Sequence, residues 1–156
     1  MLFSAGPVFI PKLITFSPWT QKEIRPSGCA LEVRINAEDP ARAFAPTPGT
    51  VSFYQAPGGP GVRVDSHLYP GYTVPPFYDS LLAKIIVRGG TRAEMIARAR
   101  CALRELAIDG IPTTAPFART ILESAPFLSG DYHTGTVETL ADSTLSPSFF
   151  TPIRAN

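Results

Sequence analysis

Prolines and glycines interrupt this chain at short intervals. Its 156 residues include 17 prolines and 12 glycines, interleaved with apolar residues and never gathered into a low-complexity tract. Proline cannot continue a helix interior, so this is more than a compact helical bundle carries, and the pattern reads as turns between short elements. With 44% hydrophobic and 17% charged residues, the chain has material for one ordinary domain with a core, and two domains would crowd its length.

Along the chain, period-2 alternation begins at Ala30: Leu31, Val33 and Ile35 face one way and Glu32, Arg34 and Asn36 the other, the mark of a half-buried strand that Asp39-Pro40 ends. Thr50 to Gln55 is β-branched and aromatic. Ala56 to Gly61 connects it to Val62-Arg63-Val64-Asp65, and the two strands are expected to form a hairpin with Val62 and Val64 on one face and Arg63 and Asp65 on the other. Leu81 to Val87 is an apolar run that can begin as a helical turn and finish as strand. Thr91-Arg92-Ala93-Glu94 has capping-box spacing and opens the clearest helix, with Met95, Ala99, Ala102, Leu103 and Leu106 on one face and Gly110 as its stop. A shorter helix is expected from about Thr114 to Ser124 with Pro126 beyond its end, and a last turn at Thr136 to Ala141. Strands followed by helices predict an α+β fold, a small, mostly antiparallel sheet with helices packed on one side. The expected divisions are a tail over 1–18, a domain over 19–140 and a frayed tail over 141–156.

A net charge of +1 supplies no bulk field for phosphate backbones or anionic membranes, so neither nucleic acid nor membrane is an expected partner. No run approaches the ~20 apolar residues of a spanning helix. Met1 to Phe16 lacks a basic n-region and is broken by Pro7 and Pro11, which fits a tail better than a signal peptide; a cytoplasmic protein is the expectation. Cys29 and Cys101 lie far apart, match no metal or disulfide spacing, and are expected to be reduced, buried small residues.

Most candidate site residues fall between Gly58 and Lys84. Gly58-Gly59-Pro60-Gly61 exits into a strand and lacks the lysine and hydroxyl of a phosphate loop, so it reads as a turn. His67 has the titration range of a general base but no placed partner, and His133 sits in a turn, so no metal site follows from the two histidines. Glu32, Arg34 and Asn36 share a strand face that would suit a site or a solvated surface equally in pattern. Arg63, a guanidinium on a strand beside a glycine turn, can offer planar donors to an oxyanion or carbonyl. On residues alone, that role and a surface ion pair both stay open.

Four stretches occur together: Ala30 to Pro40 (ALEVRINAEDP), Ala56 to Ser66 (APGGPGVRVDS), Gly71 to Lys84 (GYTVPPFYDSLLAK) and Leu106 to Ile111 (LAIDGI). In this order the chain resembles the C-terminal domain of biotin carboxylase, the ATP-dependent component of acetyl-CoA, propionyl-CoA and pyruvate carboxylases, over roughly Trp19 to Leu140. The resemblance implies a domain that packs against an ATP-grasp portion and completes the site where biotin, borne on a carboxyl carrier domain, is carboxylated. The family forms carboxyphosphate from bicarbonate and Mg-ATP and passes CO2 to a ureido nitrogen of biotin; a carboxyltransferase is a further implied partner. It also implies that Arg63 is catalytic and biotin-binding, stabilising the enolate-like oxygen of the ureido group. Gly58, Gly59, Asp79 and Lys84 would hold the shape of that wall. The ATP lid, the nucleotide-binding lysine and the metal and bicarbonate segment of the family do not occur in these residues, so no metal and no cofactor is expected on this part alone, which reads as an inactive fragment or excised domain. The competing reading is an assembly module pairing into a homodimer, with Ile85 to Arg88, Gly89 and Arg92 as the interface. An unrelated proline-rich binding module is disfavoured by the ordered motifs.

Overall fold

The computed structural model describes residue 20, residues 22–23 and residues 25–144; the expected tail over 1–18 and the tail beyond 144 lie outside the described residues. A three-stranded antiparallel sheet runs in the order β1 (Cys29–Asn36), β8 (Leu81–Gly89), β6 (Val62–Ser66). Three two-stranded ribbons surround it: β2 (Glu38–Asp39) with β3 (Ala45–Pro46), β4 (Gly49–Thr50) with β7 (Thr73–Val74), and β5 (Phe53–Gln55) with β9 (Ala107–Asp109). The helices are α1 (Arg92–Glu105), α2 (Ala115–Glu123), α3 (Ala125–Ser129) and α4 (Thr136–Thr144).

Alternation along the strands sorts the sheet into two faces. One face carries Ile35, Ala83, Ile85 and Val87, which bury against Met95, Ala99, Ala102 and Leu103 of α1, with Leu122 and Phe127 behind them. A β-bulge between Ile35 and Asn36 shifts the register by one residue, and beyond it Leu82 joins a second cluster with Val51, Leu68, Val74 and Ile111. The fold is the expected α+β arrangement, with its helices on one side of the main sheet.

Helix α1 starts as its sequence predicts. Thr91 Oγ1 accepts from the Glu94 amide, while Glu94 Oε2 accepts from the amide of Gly90 at 2.6 Å, one residue earlier than in a regular capping box.

Several local expectations are corrected. The strand at Thr50–Gln55 does not hairpin with Val62–Asp65: β5 pairs with β9, and β6 pairs with β8. Leu81 to Val87 contains no helical turn, because the whole run is strand, paired with β1 from Leu81 onward and with β6 from Ala83 to Val87. Gly110 is not the stop of α1; the helix ends at Glu105, and Ala107 to Asp109 leave it to pair with β5. Pro126 lies beyond the end of α2, as expected, and there it falls in the first turn of α3, where its missing donor costs nothing. The last helix continues past Ala141 to Thr144. Cys101 is exposed rather than buried, since it sits beside the buried stripe of α1, and Cys29 is half-buried; both are free thiols.

Candidate functional site: the open face of the sheet

The face of the sheet opposite α1 is charged. Antiparallel register sets Arg63 of β6 beside Ile86 of β8 and Ile86 beside Glu32 of β1; the next row is Asp65, Lys84, Arg34. Arg63 and Asp65 therefore share a face, as the period-2 reading expects, while Val62 turns to the core.

Arg63 is joined to Asp65 in a planar fork, with Nε donating to Oδ1 and Nη2 to Oδ2, both at 2.9 Å. The pair is open to solvent, with side-chain exposures of 74% and 44%. Hydrogen bonds from Arg63 are the main cause holding the Asp65 carboxyl below its ordinary range, with the charges of Arg63 and Lys84 adding to them. Conversely the Asp65 hydrogen bonds, then its charge, raise the pKa of Arg63. Two of the five guanidinium N–H donors are engaged this way, which leaves Nη1 and one hydrogen of Nη2 for another acceptor.

Asp79 approaches the face from the loop before β8 and pairs with Arg34 at 3.4 Å, while its Oδ1 accepts from the Leu81 amide at 2.9 Å and fixes the start of the strand. Asn36 leaves the charged rows. Its Nδ2 donates to Glu38 Oε1 at 3.1 Å, and Ser80 Oγ donates to that same oxygen, tying β1, β2 and the β8 approach together. Glu32, Arg34 and Asn36 also border a groove of about 330 Å³ lined by Phe44 and Phe117.

The remaining candidates separate. Gly58 and Gly59, with Pro60 and Val62, line a shallow depression shared with Ala97, Arg98 and Cys101 of α1, and the Gly59 carbonyl accepts from the Val62 amide. Gly59 takes φ 110°, a conformation that favours glycine, whereas Gly58 has open space around it. Arg88 is exposed at the end of β8, on the parity of Lys84 and Ile86. Arg92 belongs to the helical layer, donating to the Phe127 carbonyl and lying over the Phe127 and Tyr132 rings at 4.9 and 5.7 Å. Ile85 and Val87 are core residues with no exposed surface. His67 stacks edge-on to Tyr72, and His133 Nδ1 accepts from the Gly135 amide in a turn.

Asp65, Glu38 and Ser80 were not singled out by the residue reading. An arginine followed two positions later by an aspartate in a strand is the signal that marks Asp65; Glu38 and Ser80 meet only through tertiary structure and leave no local signal. Among the described residues no three His, Cys, Asp or Glu side chains cluster as metal ligands. The free donors of Arg63 can pair with a carbonyl or oxyanion acceptor. No helix among the described residues is long and apolar enough to cross a membrane.

Residues 32–139 match the family described as biotin carboxylase C-terminal domain. Among curated relatives, biotin carboxylase 1 of Bacillus subtilis is 51% identical over 119 residues, covering 76% of this chain and 26% of that protein. The biotin carboxylase of Pseudomonas aeruginosa is 53% identical over 110 residues, 70% of this chain and 24% of that protein. The biotin carboxylase domain dimer of Hydrogenobacter thermophilus 2-oxoglutarate carboxylase, solved with MgADP, ADP and bicarbonate, superposes with a TM-score of 0.76 at 40% identity, covering 78% of this chain and 27% of that one. The chain thus spans about a quarter of the relatives it matches. With motif order, sheet topology and sequence identity in agreement over most of its length, the chain belongs to the biotin carboxylase C-terminal domain family.

Proposed function

We propose that this domain forms one wall of a biotin carboxylation site, with Arg63 as its catalytic residue. The observation that carries this reading is the fork between Arg63 and Asp65, which holds an exposed guanidinium in a fixed orientation while leaving donors free. Biotin on a carrier domain supplies the ureido nitrogen that takes up the carboxyl group. Arg63 donates to the ureido oxygen as negative charge grows there, a preorganised contact that strengthens toward the transition state. Asp79 and Lys84 hold the charged rows around it.

ATP, Mg²⁺ and bicarbonate belong to an ATP-grasp portion, and without one the domain is inactive; a carboxyltransferase receives the product. The test is Arg63→Ala in a carboxylase that joins this domain to its ATP-grasp portion, measuring bicarbonate-dependent ATP turnover with free biotin. Turnover is expected to fall by about 10²–10³; a value within about twofold of the unaltered enzyme removes the assigned role.

A second reading, pairing of two copies through this domain, is favoured by the dimer named for the Hydrogenobacter thermophilus relative. Exposed Arg88 at the end of β8 would border such an interface, together with Arg92 on the helical side. Sedimentation of this chain decides it: a monomer at high micromolar concentration argues against self-association through this domain alone.

A further inference from the structure

On the helical side of the sheet, three arginines converge with no counter-charge bound to them. Arg100 and Arg104 of α1 and Arg119 of α2 line one small cleft with Leu122 and Glu123. Arg104 is steered into place by its own helix, its Nε donating to the Arg100 carbonyl at 3.3 Å and its Nη2 lying 3.9 Å from Cys101 Sγ. The ion pairs among the described residues are Arg34–Asp79, Arg63–Asp65 and Arg98–Glu94, so none of the three is neutralised. Glu123 follows Arg119 by four residues, the less favourable order for a helical pair, and makes no ion pair with it.

The Nε–H groups of both Arg100 and Arg119 are also buried from solvent without a hydrogen-bond partner. A buried donor left unpaired is costly and uncommon, and like charges gathered at one cleft repel. The repulsion is relieved by an anion with several acceptor oxygens that reaches the terminal Nη donors. Planar guanidinium forks match such groups in geometry as well as charge.

We propose that the Arg100–Arg104–Arg119 cleft is an oxyanion-binding site that takes a phosphate or carboxylate group at its mouth, through the terminal Nη donors of its guanidinium groups. The cleft lies between α1 and α2, on the opposite side of the sheet from Arg63, and the inference does not depend on the biotin role. Its ligand group comes either from a free phosphate ion or from a glutamate side chain of a peptide.

The experiment follows the arginine Nε–H cross-peaks of the full chain by ¹H–¹⁵N NMR at low salt, titrating inorganic phosphate in one arm and triglutamate in the other. Saturable shifts of the Arg100 and Arg119 signals are expected. Arg119→Gln should weaken binding about tenfold, as loss of one charge-assisted contact implies, and Arg42→Gln, at the end of the 3-10 helix Pro40–Arg42 and not among the cleft's lining residues, should leave it unchanged. Should Arg119→Gln unfold, Arg104→Gln, whose side chain is exposed, gives the same reading. Saturation in either arm supports the site and identifies the source. Absence of saturable shifts in both arms, or equal weakening by Arg42→Gln, overturns it.

Discussion

Arg63 and Asp65 stand two residues apart on one strand and meet through two parallel hydrogen bonds of 2.9 Å. The carboxylate both orients the guanidinium and is itself kept ionised by it. Because its folded pKa is depressed, the contribution of Asp65 to stability is present above its ordinary value and is lost as pH falls through the lower, folded value. Arg63→Gln is expected to raise the Asp65 midpoint toward the ordinary carboxylate range in a ¹³C-carboxyl titration. Lys84→Gln, the smaller cause, should move it less. An unchanged midpoint in Arg63→Gln would mean that the fork does not persist in solution.

Leu103 has no exposed surface and lies where α1 meets the sheet. Leu103→Ala should cost about 2–5 kcal/mol, the transfer loss plus the cavity left behind. Cys101→Ser, two residues earlier on the exposed face, should stay within about 0.5 kcal/mol. Urea unfolding of the two variants checks both values, and thiol-reagent kinetics on the native chain should label Cys101 before half-buried Cys29.

The contrast between those neighbours shows what a single sequence displays. The helix α1 was legible because its cap and its 3.6-residue stripe are local, so Thr91, Met95 and Leu103 carry their meaning in their spacing, whereas its end at Glu105 is set by the pairing of β9 with β5. The faces of β1 and β6 were legible for the same reason, with period 2 in place of 3.6. Pairing was not. Val62 finds Val87 and Phe53 finds Asp109 across long loops, and nothing in either strand names its partner, so a nearby glycine-rich connection suggested a hairpin that the fold does not make. The site shows the same division: Arg63 was marked by its motif, whereas the tie from Asn36 through Glu38 to Ser80 exists only after the strands have met.

Thr91 is the N-cap of α1 and satisfies the amide of Glu94. Thr91→Ala should cost about 1 kcal/mol, the usual loss for an N-cap hydroxyl. Thr91→Ser, which keeps the acceptor, should recover most of it. Thermal unfolding by circular dichroism distinguishes them, and equal loss in both variants would assign the effect to the methyl group.

Two glycines from motifs of this family should respond oppositely to alanine. Gly110, in Leu106 to Ile111, takes φ 102°, and a Cβ there would stand 2.3 Å from the Thr50 carbonyl oxygen and 2.8 Å from the Ser52 amide nitrogen. Both are backbone atoms and cannot swing aside. Beside this contact the Ser52 amide donates to the Asp109 carbonyl at 2.8 Å, extending the β5–β9 ladder at that end. Gly110→Ala therefore meets the left-handed penalty of about 1–2 kcal/mol and must also push the two chains apart, so the total loss should exceed that penalty. Gly58 has ordinary φ and nothing within 4 Å of a Cβ. Gly58→Ala should lie within about 0.5 kcal/mol of the unaltered chain, with any gain arising from a less flexible unfolded state. Denaturant midpoints measure both, and amide exchange at Tyr54 and Ile108 should accelerate in Gly110→Ala only. Equal midpoints for the two variants would show that the ribbon yields to a methyl group.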